Sequence, residues 1–137
     1  MLRVLEFHCS SFSYEVKRNT PFAEEPEPSS EDLKDVWVCF TCFEKKDEGR
    51  SDELVERFVE SIKVDISRIK FKRVLIHPYA HLSKSLGSPK LAKDFFCKLR
   101  DRLAKEKIDV HKSPFGWYKA FRLECIGHPL AEAYREF

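Results

Sequence analysis

No stretch of this chain is apolar for long enough to cross a membrane, and its opening, Met1-Leu2-Arg3-Val4-Leu5, lacks the apolar run and cleavage site of a secretory leader. Both absences point to a cytoplasmic protein with no membrane partner. Neither sign of charge dominates: 25 Lys and Arg face 23 Asp and Glu, and the net +2 is too balanced to bind duplex nucleic acid by charge alone. Any nucleic-acid contact is therefore local, with a shallow salt dependence and Lys112, Lys119 and Arg122 as the basic candidates.

The five cysteines (9, 39, 42, 97 and 125) are odd in number and form no spaced framework, so they read as small buried residues of a reducing compartment. Cys39 and Cys42 lie in a strand-like run, where positions three apart point to opposite faces; with no second pair, that argues against zinc or redox chemistry. His77 and His81 have the spacing of a helical metal pair, but Pro78 breaks the helix that would align them, and no third ligand is near in sequence. No metal or cofactor is expected. A Ser-His-Asp set, a phosphate-cradling glycine loop, an HExxH motif and internal repeats are all missing, so no conventional nucleophile is visible.

What remains is the profile of one soluble domain over residues 1–137, 42 % hydrophobic and 35 % charged, long enough to bury a real core. Arg3 to Phe7 and Phe12 to Val16 read as an N-terminal strand pair separated by Cys9-Ser10-Ser11. Pro21 to Glu31, with prolines and an acidic cluster, is loop composition. Val36 to Phe43 is apolar on both parities, which predicts a central strand covered on both faces. Ser51-Asp52-Glu53 starts a helix carrying Leu54, Val55, Phe58, Val59, Ile62, Ile66 and Ile69 at helical spacing. Val74-Leu75-Ile76 is a strand ending at His77-Pro78, and Ser88-Pro89 opens a second helix with Leu91, Ala92, Phe95, Phe96, Leu99 and Leu103 inward. Ile108 to His111 and Trp117 to Cys125 close the order β-β-β-α-β-α-β-β, an α/β or α+β fold of one sheet layered with two long helices. The tail from Gly127 to Glu132 is expected to fold back over the sheet and bring Glu132 near a site at the strand ends.

One residue breaks the pattern. Lys119 shares a strand face with Trp117, Phe121, Leu123 and Cys125, so an ammonium stands among core-type side chains. Either it snorkels to water from a strand end, or it occupies a polar cavity that has a use for it. Tyr118 points to the opposite face, and both side chains enter one pocket only if the strand is distorted by a bulge or twist after Gly116. His77 reads as a core histidine bonded to backbone, whereas His81, farther into the polar loop, is either a surface histidine or a site residue.

Taken together, Pro78-Tyr79-Ala80-His81-Leu82-Ser83, Pro114-Phe115-Gly116-Trp117-Tyr118-Lys119-Ala120-Phe121 and Gly127-His128-Pro129-Leu130-Ala131-Glu132 resemble, in that order, motifs of the N-terminal editing domain of archaeal threonyl-tRNA synthetases. The resemblance is collinear over essentially the whole chain. It implies a fold like that of D-aminoacyl-tRNA deacylases, usually a homodimer, and removal of serine wrongly esterified to threonine tRNA, with the terminal adenosine's 2′-hydroxyl assisting and no metal. It also implies roles for particular residues: Lys119 as the essential lysine, Tyr118, His81 and Glu132 as its catalytic neighbours, and Ala80, Phe115, Pro114 and Gly116 as substrate-binding wall and turn positions. The partners implied are the acceptor end of threonine tRNA and a synthetase catalytic region, in the same chain or acting in trans. Two departures stand out: His8-Cys9-Ser10 replaces the family's usual His-Ser-Asp, and Trp117 replaces a smaller aromatic. The alternatives are a deacylase of broader, D-amino-acid range and a non-catalytic tRNA or amino-acid binding module.

Overall fold

A computed structural model describes residues 1–137, and its longest strand is the first, β1 (Arg3–Asn19). β2 (Ser30–Cys42) pairs antiparallel along one side of β1, while β5 (Trp117–Cys125) and β6 (Glu132–Glu136) share the other side end to end. Beyond β2 the sheet continues in parallel through β3 (Arg73–Pro78) and β4 (Val110–Lys112), giving the order β4-β3-β2-β1-β5 with β6 beside β1. Parallel neighbours need a long crossover, and α1 (Ser51–Ile69) and α2 (Pro89–Lys105) supply the two required. The result is a mixed α/β sheet of six strands with two helices, as expected.

Several details differ from the sequence reading. The N-terminal segments are one strand of 17 residues, not a pair. Val4 faces the helix-side core, as do the even positions up to His8, whereas Phe12 and Tyr14 belong to the cluster on the opposite face. The alternation therefore changes phase near Ser10, where the pairing with β5 shifts register and the opposing Asp35 adopts a positive φ of 48°. That break in phase reads as a strand boundary. β2 also starts at Ser30 rather than Val36, because its polar first half pairs with the far half of β1. The tail does not lie over the sheet. Instead, its last residues extend the sheet as β6, with Glu132 opposite Phe7.

The main core lies between sheet and helices, where Phe58, Ile62, Phe95, Phe96 and Leu99 pack on Val4, Trp37, Cys39 and Ile76. A smaller cluster of Phe12, Tyr14, Val36, Val38, Phe40 and Leu75 fills the other face. Fully buried within the first is Glu6, whose carboxylate accepts the Trp37 indole N–H at 2.9 Å and stands 3.3 Å from Arg135. Arg135 is shared with the equally buried Asp65, to which it donates at 2.7 Å. Burial, only partly offset by Arg135 and the Trp37 bond, pushes the Glu6 carboxyl up to about 7.

Candidate active site

The ends of β2 and β3, the start of α2 and the turn into β5 enclose a cavity of about 610 Å³. Pro78 ends the β3 ladder, but the Tyr79 N–H still donates to the Thr41 carbonyl at 2.8 Å, so the chain leaves the sheet only at the short 3-10 turn Ala80–Leu82. Ser83 then donates to the Glu44 carboxylate, which anchors the far end of that turn. On the opposite wall, Gly87 comes so close to Phe43 that a Cβ there would lie 2.6 Å from the ring, bringing the start of α2 against the end of β2. Ser88 caps α2 by accepting the Leu91 N–H at 3.3 Å, and Ala92 and Phe96 face the cavity from its first turns.

The third wall is the turn Ser113–Gly116, strapped by the β1–β2 loop. Thr20 donates to the Gly116 carbonyl through its N–H at 2.9 Å and its hydroxyl at 2.8 Å. The Phe115 N–H donates to the Glu24 carboxylate at 2.7 Å, and the Trp117 indole donates to the Glu24 carbonyl at 2.8 Å. Gly116 has φ +84°, and a Cβ would lie 2.7–2.8 Å from the backbone of Phe22 and Ala23. Only glycine suits both conditions. The Pro-rich stretch that composition marks as loop is thus the clamp that aims β5.

From that turn Lys119 enters the cavity, half-buried, with no ion pair and no hydrogen bond. Burial, then the nearby Lys112 ammonium, lower its pKa to about 8 against a smaller opposing pull from Glu24. The face it shares with Trp117 and Phe121 is therefore a cavity wall rather than closed core. Tyr118 also borders the cavity but is 58 % exposed, at its mouth. The distortion that admits both neighbours is present as a register shift between Val16 and Arg18, opposite Lys119 and Tyr118.

Ala80 and His81 lie on the exposed rim, with the His81 ring 5.2 Å edge-on to Tyr79, and Phe115 and Gly116 line the cavity as well. Pro114 is buried behind the wall and does not line it. Glu132 is exposed and does not line it either, because β6 pairs with the opposite end of β1. Lys112, a candidate for RNA contact, is buried and held by Glu24, which leaves Lys119 and the exposed Arg122. His77 is buried as expected, but it bonds a side chain rather than backbone: its Nδ1 lies 2.9 Å from the Ser113 hydroxyl. Burial and then Lys119 depress its pKa well below the usual imidazole range, so it is neutral. Ser10, where the resemblance leads one to expect an acid, donates to the Glu124 carboxylate of β5.

Sequence reasoning missed Thr41, Cys42 and Phe43 as lining residues, since a central-strand pattern does not reveal where a strand ends in a cavity, and Gly87, whose approach to Phe43 is a tertiary contact. None of them is a nucleophile. Burial, then Glu44, push the Cys42 thiol up to about 11, Thr41 donates its hydroxyl to the Cys39 carbonyl at 2.9 Å, and Ser113 is completely buried. No cluster of three or more His, Cys, Asp or Glu side chains is close enough to hold a metal ion, and no helix is long and apolar enough to cross a membrane.

The cavity is of one class: a single cation without a counter-ion, set among mostly apolar side chains. Comparison with known proteins gives the class a family. The archaea-specific editing domain of threonyl-tRNA synthetase matches residues 2–137. Threonine–tRNA ligases of Methanococcoides burtonii and Thermococcus kodakarensis are each 40 % identical to 98 % of the chain, which spans 21 % and 22 % of their lengths. The threonine–tRNA ligase editing subunit of Saccharolobus solfataricus is 41 % identical over 96 % of the chain, itself 33 % of that protein. The chain belongs to the archaeal threonyl-tRNA synthetase editing-domain family, and so to the proofreading apparatus of protein synthesis.

Proposed function

We propose that residues 1–137 form one cytoplasmic editing domain that hydrolyses the ester of L-serine on threonine tRNA without a metal. Serine lacks only threonine's methyl group, a difference worth ~1–3 kcal/mol, too little for a synthetic site to reject it securely. A second, hydrolytic site is the remedy. The observation that carries the reading is Lys119, a cation with no counter-ion in a mostly apolar cavity whose walls include Phe43, Phe96, Phe115 and Phe121.

In the reaction, water adds to the ester carbonyl and the carbonyl oxygen becomes an oxyanion, which the Lys119 ammonium stabilises. Collapse of the intermediate breaks the bond to the ribose oxygen, which takes up the proton given by water. Serine and free tRNA leave. With no protein nucleophile available, the neighbouring 2′-hydroxyl of the terminal adenosine orients the water. Phe115 and the rim at Ala80 and His81 hold the adenosine and aminoacyl group. Tyr118 stands where the tRNA end enters. Glu132 takes part from the second copy of a homodimer, since within one chain it belongs to the far end of the sheet.

The purified domain should deacylate L-seryl-tRNA for threonine, spare the threonyl ester and keep full activity after chelation. Equal hydrolysis of both esters would sink the proofreading assignment. Comparable turnover of D-aminoacyl esters would instead assign a broader deacylase, and binding without turnover a recognition module.

A further inference from the structure

Lys119 is not the only ammonium at this end of the fold. Lys112, the last residue of β4, is buried, and its Nζ is held by the carboxylate of Glu24. The same carboxylate oxygen accepts the Phe115 N–H at 2.7 Å. The Glu24 backbone makes two more links to this segment: its N–H donates to the Phe115 carbonyl at 3.0 Å, and its carbonyl accepts the indole N–H of Trp117, the first residue of β5, at 2.8 Å. Every polar bond of Glu24 thus ends between residues 112 and 117, in the segment from which Lys119 extends.

The groups facing Lys119 come from each element around it. They are the neutral His77 of β3, Lys112 of β4 and Glu24 of the β1–β2 loop, with His81 and Tyr118 at the rim. Lys112 and Glu24 are charged and paired. A carboxylate bonded directly to Lys119 would quench it as an electrostatic donor. One bonded instead to the cation behind it leaves the Lys119 ammonium unoccupied.

Building on the deacylase reading above, we propose that Glu24 is a positioning residue of this site. By neutralising Lys112 and pinning the Ser113–Gly116 turn, it lets the Lys119 ammonium stand in an apolar cavity without a counter-ion of its own.

The test is direct titration of Lys119 in the 137-residue chain, with lysines carrying ¹³C-methyl groups and the Lys119 resonance assigned by its loss in Lys119→Met. Glu24→Gln should lower the midpoint and Lys112→Met should raise it, each by about 0.5–1 pH unit, with the double variant close to wild type. A merely structural tie would move both single variants in the same direction or neither, and either result overturns the proposal. Should Glu24→Gln fail to fold, Lys112→Met decides alone: a rise supports the proposal, and no change or a fall overturns it. Turnover of seryl-tRNA measured in parallel separates the two readings. Shifted midpoints in the variants, with a wild type that does not hydrolyse the ester, would sink the deacylase reading and leave the coupling standing, whereas hydrolysis by the wild type with unmoved midpoints in the variants sinks the coupling alone.

Discussion

Lys119 lies opposite Val16 and Glu132 opposite Phe7 on the same strand, so the nine-residue step from one partner to the other sets the two positions apart by ~30 Å along β1. If Glu132 serves the Lys119 cavity, it does so across a two-fold interface. Glu132→Gln and Lys119→Met should then each be inactive alone but complement on mixing. Random exchange makes half the dimers hybrid, each with one intact site, so about a quarter of wild-type turnover should return. Subunit exchange without recovered activity, or full activity in Glu132→Gln alone, would remove Glu132 from the site.

Lys119→Met should cut single-turnover deacylation by on the order of 10²–10³-fold, the loss typical of a removed electrostatic donor. It should also stabilise the fold. Because the folded-state pKa of Lys119, about 8, is below its ordinary value of 10.5, the unfolded chain binds more protons between those limits. Wild-type stability therefore rises with pH through that window. The gain from the substitution should be on the order of 1–3 kcal/mol at pH 7 and fade above pH 8. Wild-type catalysis should run the other way, falling above about pH 8 once background hydrolysis is subtracted, because the stabilising group is the ammonium. Catalysis rising through the same pH would assign the neutral amine as a base, and unchanged turnover in a folded variant would falsify the role given to this lysine.

Gly116→Ala tests the clamp on the turn. The added Cβ meets backbone atoms of Phe22 and Ala23 and is strained at φ +84°, so the variant should lose roughly 1–3 kcal/mol in a denaturant melt. Activity should fall even below the new melting transition, as the turn shifts Lys119. A variant as stable and active as wild type would mean that the β1–β2 loop yields freely.

Glu6 gives a pH signature away from the site. Its folded-state pKa, about 7, is above the ordinary 4.5, so the folded chain holds the extra proton and stability falls as pH rises between those values. Glu6→Gln keeps an acceptor for the Trp37 indole while removing the buried charge. Thermal melts should show the variant more stable by on the order of 1–2 kcal/mol at pH 8, with the difference vanishing near pH 4.5. A variant less stable at pH 8 would show that the Arg135 attraction outweighs burial.

The layered architecture was legible because helical spacing on α1 and α2 and the doubly apolar β2 are strong local signals, and the cap at Ser88-Pro89 fixed a boundary. Lys119 was legible for a related reason, as a charge on an apolar parity. Glu24 was not, since nothing local distinguishes it from the other acids of its loop, and its partners Lys112 and Phe115 lie some ninety residues away. The place of Glu132 within the chain was not legible for want of pairing information: it depends on which strand the tail joins and at what register.

The paired distortion at Ser10 and Asp35 constrains how this chain can change length. Up to that point one parity of β1 serves the helix-side core, and beyond it that parity serves the other face, with β2 inverting in step. The two strands behave like shafts joined by a coupling that rotates both by half a turn. Deleting Ser10 alone would leave Asp35 unopposed, so that the ladder would have to bulge at that residue or slip by one. Deletion of both residues together would remove the extra residue from each strand, so that plain alternation would carry Phe12 and Leu33 to the faces they already occupy and Ser11 would follow Cys9 opposite Glu124 without a register shift. A change of length inside this ladder is therefore accommodated as a matched pair, one residue from each strand, whereas a change in one strand alone has to be absorbed as a bulge.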